Sequence, residues 1–211
     1  MNKKQLSWAI GEDRDFCANE LTNRKVILGH SDTILGLYAT ISLEGVEHLN
    51  QIKKRFEKPY IVLLPTFEAV ERYLDPVQYL QIEKFMRQCW PGPVTLLCTP
   101  RAGLPSWVTG GYATIGIRIP QHAGLLALLQ KTGGLFSTSA NISGQPVPQT
   151  LMAVDSAILE AVDGIIVNED EPALTVSSTI IDITGAQPRV IRTGVYPITQ
   201  LEQLYGTSFQ K

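Results

Sequence analysis

The sequence lacks the short motifs that identify several enzyme classes. It contains no GxxxxGK[ST] and no GxGxxG opening a helix, so neither a P-loop nor a Rossmann dinucleotide fingerprint is present. Its three histidines lie far apart without an HExxH, and its three cysteines form no CxxC, which argues against zinc sites and a disulfide framework. The stretch Gly29-His30-Ser31-Asp32-Thr33 resembles a nucleophile elbow but ends in Thr instead of Gly, so a serine hydrolase is not indicated.

An excess of positive charge and long apolar runs are also missing. Eighteen Lys and Arg against twenty Asp and Glu give a formal net charge of −2, so contact with RNA would need a local basic patch. No apolar run reaches the roughly 18 residues of a membrane helix. The charged stretch from Glu12 to Asp15 leaves no apolar signal-peptide core. With an odd number of cysteines, these features predict a reduced, cytoplasmic protein without a membrane partner.

The size and patterning predict a single α/β domain over residues 1–211. The chain has 211 residues, 44% of them hydrophobic, which is enough for one sizeable core. Strand-like and helix-like segments alternate irregularly, which predicts a large mixed sheet with flanking helices. Strands are predicted at Val26–Leu28, Ile34–Thr40, Tyr60–Leu64, Val94–Cys98, Thr114–Ile119, Leu135–Thr138, Gly164–Val167, Thr179–Ile183 and Arg189–Ile191. Helices are predicted around residues 46–52, at Phe67–Leu74, Val77–Gln88, Ala123–Leu129 and Leu151–Val162, and after Pro197.

Two stretches are rich in short hydrogen-bonding side chains. Residues 31–33 (Ser-Asp-Thr) lie between apolar strands, and their composition fits an Asx or Ser turn as well as a ligand site. Residues 137–144 (Ser-Thr-Ser-Ala-Asn-Ile-Ser-Gly) follow a strand that begins at Leu135. Ligands of open α/β sheets bind at the carboxyl ends of strands, so this second stretch is predicted to orient a small polar ligand.

The basic stretch Lys53-Lys54-Arg55-Phe56-Glu57-Lys58-Pro59 has two interpretations. It carries four cations at the end of an amphipathic helix, where the helix dipole favours them and they usually face solvent. Alternatively, Lys and Arg together hold a phosphate chain without a P-loop. The sequence alone leaves both interpretations open.

Arg118 is unusual because its strand neighbours are mainly apolar. A buried arginine needs an anion, supplied by the protein or by a ligand. A salt bridge to Asp32 or Asp182 is one solution, and a bound anion is the other. Ser178-Thr179 and Arg192-Thr193-Gly194 lie near the ends of other predicted strands.

In this order, the stretches resemble the YrdC-like domain family, the threonylcarbamoyl-AMP synthases of tRNA modification. The resemblance covers roughly residues 25–195 and depends on the order of seven motifs, since none is decisive alone. The matching segments are Ser31-Asp32-Thr33-Ile34 with Gly36-Leu37, Lys53-x-Arg55 with Lys58-Pro59, Trp90 to Thr95, Ile117-Arg118-Ile119-Pro120, Ser137 to Gly144, Ser178 to Asp182, and Arg192-Thr193-Gly194.

The resemblance implies a reaction and a fold. Family members join L-threonine, bicarbonate and ATP into threonylcarbamoyl-AMP and release pyrophosphate, and Mg²⁺ is expected to arrive with the nucleotide. A separate tRNA threonylcarbamoyl-transferase complex then modifies an adenosine beside the anticodon, and direct contact with tRNA is possible. The family fold is a twisted mixed sheet bordering an open, positively lined cavity, and this chain resembles the short, single-domain form.

The resemblance also assigns roles to residues by position. Lys53 and Arg55 are expected to be catalytic and to hold ATP phosphates. The amino-acid substrate is expected to contact Ser31, Thr33, Arg118, Thr138 and Ser178. Further ATP contacts are expected from Lys58, Ser139, Asn141 and Arg192, and no metal ligands are assigned.

The sequence departs from the family pattern at four positions. His30 and Ser177 replace prolines, Leu35 replaces a tyrosine, and Phe56 stands where a proline is usual. These departures are expected to alter the wall of the amino-acid pocket and leave other functions open. A paralogue of this fold would bind RNA or nucleotides without catalysis, and a carbamoyl-transfer domain would use carbamoyl phosphate.

Overall fold

A computed structural model describes residues 5–55, 58–168 and 176–210. Within them, ten strands form one mixed sheet in the order β1-β8-β2-β3-β7-β4-β6-β5-β9-β10. The predicted α/β class with a mixed sheet is confirmed. The strands are β1 (Gln5–Leu6), β2 (Ile27–Gly29), β3 (Gly36–Thr40), β4 (Ile61–Leu63), β5 (Val94–Cys98), β6 (Ile115–Arg118), β7 (Leu135–Ser139), β8 (Gly164–Ile166), β9 (Thr179–Asp182) and β10 (Arg189–Arg192). The helices are α1 (Gly11–Thr22), α2 (Leu43–Lys53), α3 (Phe67–Val70), α4 (Pro76–Cys89), α5 (Ser106–Thr109), α6 (Ala123–Thr132), α7 (Ser156–Ala161) and α8 (Ile198–Tyr205).

Helices cover both faces of the sheet. Successive strand residues point to opposite sides, so each strand contributes side chains to a core on each face. Ile27 and Tyr38 face a core that contains Leu21 of α1 and Leu125 of α6. The alternate strand residues belong to a second, larger core that contains Leu49 of α2 and residues of α4. Burial on both faces explains why these strands read as nearly continuous apolar runs.

Two parts of the fold differ from the sequence prediction. Helix α1 was not predicted, because its segment is rich in charged residues; its buried side chains lie one turn apart at Asp13, Cys17 and Leu21. The predicted helix Leu151–Val162 is two pieces, a 3₁₀ turn at Leu151–Ala153 and then α7. The break occurs where the Asp155 carboxylate accepts a hydrogen bond from the Ala157 amide and caps α7.

The backbone around α2 and β7 determines where the candidate residues lie. Helix α2 ends at Lys53, and Lys54 takes a left-handed conformation with a φ of 50°, which turns the chain away from the helix axis. Strand β7 lies between β3 and β4, antiparallel to both. The loop after β7 returns to the end of α2, where the Ser143 amide donates to the Lys53 carbonyl at 3.1 Å.

No helix in the described part of the chain is long and apolar enough to cross a membrane.

Candidate active site

A cavity of about 240 Å³ opens beside the ends of β3, β6, β7 and β9. Its wall contains three arginines and seven serines or threonines, and none of the described residues that line it is acidic. Such a wall is suited to anions that also carry hydroxyl or amino groups. The polar lining consists of Ser31, Thr33, Arg55, Arg118, Ser137, Thr138, Ser139, Ser177, Ser178 and Arg192. The remaining lining is Ile34, Gly36, Pro59, Ile61, Leu63 and Ile180.

The turn between β2 and β3 contributes two hydroxyls. The Ser31 hydroxyl accepts from the Thr33 amide at 3.1 Å and donates to the Ile34 carbonyl at 3.1 Å. It also lies 2.9 Å from the Thr33 hydroxyl. The Ser-turn interpretation is therefore confirmed, and the same side chains line the cavity.

Arg118 on β6 is 4% exposed and has a protein partner on each side. Its Nη2 lies 2.5 Å from Asp32 Oδ1, which confirms the expected alternative of a salt bridge to Asp32. Its Nε donates to the Gly92 carbonyl at 2.9 Å and its Nη1 to the Thr33 hydroxyl at 3.1 Å. Asp182 instead pairs with Arg189 at 3.1 Å.

Lys53 points into the loop after β7 and does not line the cavity. The residue is 1% exposed. Its ammonium group donates to the carbonyls of Ser139 and Asn141, both at 2.6 Å, and also reaches both side-chain oxygens. Burial, with a smaller contribution from the charge of Arg55, lowers the pKa of Lys53 to about 8. In this structure the donors of Lys53 are directed at protein oxygens and not into the cavity, and its expected contact with ATP phosphates stays a prediction.

Arg55, two residues later, does line the cavity. Its guanidinium stacks 4.6 Å from the centre of the Tyr60 ring, and Nη2 donates to the Pro59 carbonyl at 3.1 Å. The Tyr60 hydroxyl in turn donates to Asn50 Oδ1 at 2.7 Å. Arg55 Nε is buried and has no hydrogen-bond partner among the described residues. A guanidinium has five N–H donors, so this cavity-lining side chain retains donors beyond those directed at the Lys58 and Pro59 carbonyls.

Ser178 and Arg192 form another part of the cavity wall. Arg192 donates through Nε and Nη2 to the Ser178 carbonyl at 3.1 and 3.0 Å, and the Ser178 hydroxyl lies 2.8 Å from that of buried Thr95. Burial, followed by the charge of Arg118, lowers the pKa of Arg192. A Cβ at Gly194 would overlap the Ser177 carbonyl oxygen, which accounts for glycine in the Arg-x-Gly motif.

The structure brings most, but not all, of the predicted residues to the cavity. Lys58 is exposed and lies outside the lining, as does Asn141, which is bonded to Lys53 and to Ser139. Sequence reasoning included Ser137 only as part of the stretch 137–144 and gave Ser177 and Ile34 no contact of their own, although all three line the cavity. Ser137 precedes the predicted Thr138 and Ser139, so the serine-rich run itself was the available signal.

The family departures fall in different places. His30 and Leu35 are buried outside the cavity lining, and Leu35 belongs to the larger core. Ser177 does line the cavity. Phe56 lies outside the described residues. Ser177 is therefore the departure, among the described positions, that changes the cavity wall.

No group of three or more His, Cys, Asp or Glu side chains that could hold a metal ion occurs in residues 5–55, 58–168 and 176–210. Cys17, Cys89 and Cys98 are unpaired and buried, and burial raises the pKa of each thiol.

Comparison with known proteins identifies the family. A model of the Sua5/YciO/YrdC family, described as telomere recombination, matches residues 19–194. The chain belongs to this family. The match includes every residue of the cavity wall described above.

Curated members of the Sua5/YciO/YrdC family are similar over most of the chain. The threonylcarbamoyl-AMP synthase of Pyrococcus abyssi is 29% identical over 90% of this chain, which spans 56% of that protein. The enzyme of the same name from Xanthomonas euvesicatoria is 33% identical over 83% of this chain and 95% of its own length. The chain thus matches the long relative in part and the short one almost throughout.

Solved structures of the family agree with the fold. The crystal structure of P. abyssi Sua5 complexed with L-threonine superposes with a TM-score of 0.86 and 26% identity, covering 98% of this chain and 62% of that one. Escherichia coli YciO, at 18% identity and a TM-score of 0.79, covers 94% of this chain and 99% of its own. The likeness to YciO concerns the fold alone.

Proposed function

We propose that this chain condenses L-threonine, bicarbonate and ATP into threonylcarbamoyl-AMP and pyrophosphate. The observation that carries the proposal is the cavity wall, which combines three arginines with seven hydroxyl side chains. Arginine suits the carboxylate and the phosphates, and hydroxyls suit the amino and hydroxyl groups of threonine. The relatives named threonylcarbamoyl-AMP synthase support the same assignment.

The reaction takes place in two steps. The neutral amine of threonine attacks bicarbonate carbon, water leaves, and a carbamate forms. A carbamate oxygen then attacks the α-phosphorus of ATP, the bond to the β-phosphate oxygen breaks, and pyrophosphate departs with the electron pair. The protein has to align these groups and compensate the charge that develops on the phosphate oxygens.

The cations have separate tasks in this mechanism. Arg55 and Arg192 lie on the cavity wall and compensate phosphate charge, together with Mg²⁺ carried by the nucleotide. Lys53 holds the loop from Ser139 to Asn141, so that Ser139 faces the nucleotide. Lys58 is exposed and lies outside the cavity lining, so it has no phosphate contact in this mechanism.

The amino-acid end of the cavity lies around Arg118. A guanidinium has five N–H protons, and three of them are directed at Gly92, Thr33 and Asp32. The two remaining protons are available to the substrate carboxylate or to the carbamate. Thr33, Ser31, Thr138 and Ser178 supply hydroxyls around it. Asn141 acts through the loop and does not reach the cavity directly.

The proposal includes a place in tRNA modification. The product is a mixed anhydride and therefore an activated acyl donor, and we propose that a separate tRNA threonylcarbamoyl-transferase complex, as the family resemblance implies, transfers its threonylcarbamoyl group to adenosine. ATP and tRNA meet in the cytoplasm, and the three unpaired cysteines fit a reducing compartment.

The test is pyrophosphate release by the purified protein. We expect release that depends on ATP, bicarbonate and L-threonine together, with threonylcarbamoyl-AMP detected by mass spectrometry. Salt-sensitive RNA binding without release would favour a binding paralogue. Turnover of carbamoyl phosphate in place of bicarbonate and threonine would favour a carbamoyl-transfer domain. Either result would overturn the proposal.

A further inference from the structure

We propose that Asp32 is a positioning residue that acts through Arg118 and makes the Thr33 hydroxyl a hydrogen-bond acceptor toward the cavity. This inference deepens the proposed function and rests on it. Asp32 does not line the cavity, although Ser31, Thr33 and Ile34 do. Its action on a substrate must therefore pass through another side chain.

Asp32 ties the β2–β3 turn to the far end of β6. One carboxylate oxygen lies 2.5 Å from Arg118 Nη2, and the other accepts from the Gln121 amide at 2.8 Å. The Asp32 side chain is 10% exposed and that of Arg118 is 5% exposed, so water screens their attraction weakly. The remaining described partners of Arg118, the Gly92 carbonyl and the Thr33 hydroxyl, are neutral.

Three partners in three directions fix the guanidinium plane. A planar fork keeps its donors at fixed angles, so a guanidinium hydrogen-bonded to Gly92 at Nε and drawn to the Asp32 carboxylate at Nη2 presents Nη1 in a set direction. In this orientation Nη1 donates one proton to the Thr33 oxygen, 3.1 Å away. Without the Asp32 charge, the guanidinium is buried without its counter-ion, and only two neutral partners, the Gly92 carbonyl and the Thr33 hydroxyl, oppose its attraction to a substrate anion.

Proton counting assigns the direction of the remaining bonds. Ser31 has one hydroxyl proton, and the Ile34 carbonyl at 3.1 Å can only accept it. The Thr33 proton must then fill the 2.9 Å contact with the Ser31 oxygen. If Ser31 donated to Thr33 instead, the Ile34 carbonyl would lose its hydrogen bond, and the total would be one bond fewer. The positive charge of Arg118 also polarises the Thr33 hydroxyl, which makes it the better donor to Ser31.

The assignment defines what the cavity offers. Ser31 uses both lone pairs, for the amide and the hydroxyl of Thr33, and its proton goes to Ile34. Thr33 uses its proton and one lone pair, so one acceptor position remains. The partner that fits is an N–H or O–H donor, such as the amino or hydroxyl group of an amino acid, and a carboxylate does not fit there.

The test is a double-mutant cycle on L-threonine binding, measured by calorimetry without ATP. We expect D32N to weaken threonine binding about tenfold and T33V to weaken it by a similar factor. The double variant should be no weaker than T33V alone, because both changes break one chain of bonds. T33S keeps the hydroxyl and should bind within about twofold of the unmodified protein.

Asp182→Asn is the matched control. Asp182 is also a partly buried aspartate paired with an arginine, but it lies outside the cavity lining. D182N should leave threonine binding unchanged. In the pyrophosphate assay, D32N should raise KM for threonine while KM for ATP stays within about twofold.

Three results would overturn the inference. They are unchanged threonine binding in D32N, equal increases in both KM values, and additive effects of D32N and T33V. If D32N does not fold, R118K takes its place in the cycle. Lysine keeps a cation for Asp32 but loses the guanidinium fork that also reaches Thr33. Additive effects of R118K and T33V would again overturn the inference. Failure of the proposed function would instead appear as absent pyrophosphate release in the unmodified protein.

Discussion

The cations of the cavity region form two groups that differ in burial. Lys53 and Arg118 are 1% and 4% exposed, and their donors point at protein oxygens and, for Arg118, at a carboxylate. Arg55 and Arg192 line the cavity, as Arg118 does, but they are less buried and have no carboxylate partner among the described residues. Removing a buried cation leaves its partners unsatisfied, whereas removing Arg55 or Arg192 should mainly remove a contact with the proposed substrate. We therefore expect substitution of Lys53 to lower both activity and melting temperature, and substitution of Arg55 to lower activity alone.

The largest effect is expected for Lys53→Met. The change leaves the Ser139 and Asn141 carbonyls without their donor, which costs about 1–3 kcal/mol for each unsatisfied group. We expect pyrophosphate release to fall by about 100-fold or more and the melting temperature to fall with it. Steady-state kinetics and thermal denaturation measure the two effects.

Lys131→Met is the control for that variant. Lys131 pairs with Asp15 at 2.7 Å on an exposed surface, so its loss should change neither activity nor melting temperature. A Lys53→Met protein with unchanged activity would contradict the assignment of Lys53 to the loop.

Arg55→Ala tests the other group. We expect kcat/KM for ATP to fall by about 10- to 100-fold, roughly 1.4–2.7 kcal/mol at the transition state, with an unchanged melting temperature. Arg87→Ala is a matched control, since Arg87 stacks 4.5 Å from the Phe67 ring but lies outside the cavity lining. Equal losses of kcat/KM in Arg55→Ala and Arg87→Ala would show that both stacked arginines affect activity through the stability of the fold and not through a contact with ATP.

The pH dependence separates the groups further. The pKa of Lys53 is lowered to about 8, so the ammonium that holds the loop is present below that pH and is lost as the pH rises through it. We expect kcat/KM to fall by up to tenfold per pH unit above pH 8. Lys53→Arg cannot lose its proton in this range, so its alkaline decrease should be absent or shifted upward. An identical decrease in both proteins would exclude Lys53 as its cause.

The sequence was sufficient for the class of fold and for the polar stretches that reach the cavity. Apolar strands separated by short polar turns predicted the mixed sheet, and the hydroxyls at 137–139 do lie on its cavity side. Helix α1 was missed because a stripe of Asp13, Cys17 and Leu21 within charged residues carries little apolar periodicity.

The direction of individual side chains was beyond the sequence. Lys53 and Arg55 are two residues apart, and only the left-handed turn at Lys54 sends one into the loop and the other to the cavity. The choice between Asp32 and Asp182 as the partner of Arg118 also depends on the sheet order, which places Asp182 on β9 beside Arg189 on β10. Both outcomes are set by long-range pairing, which local patterns do not encode.

The smallest effect is expected for Tyr60→Leu. The Tyr60 ring supports the Arg55 guanidinium at 4.6 Å, and a cation–π contact at a partly exposed site contributes about 0.5–1 kcal/mol. We expect KM for ATP to rise by about two- to fivefold, with threonine binding unchanged. Tyr60→Phe keeps the ring but loses the bond to Asn50, so it should retain most of the ATP affinity. If Tyr60→Phe lost as much ATP affinity as Tyr60→Leu, then the Tyr60 hydroxyl and its bond to Asn50, and not the ring, would position Arg55. Arg55 would then depend on a hydrogen-bond network, as Lys53 and Arg118 do.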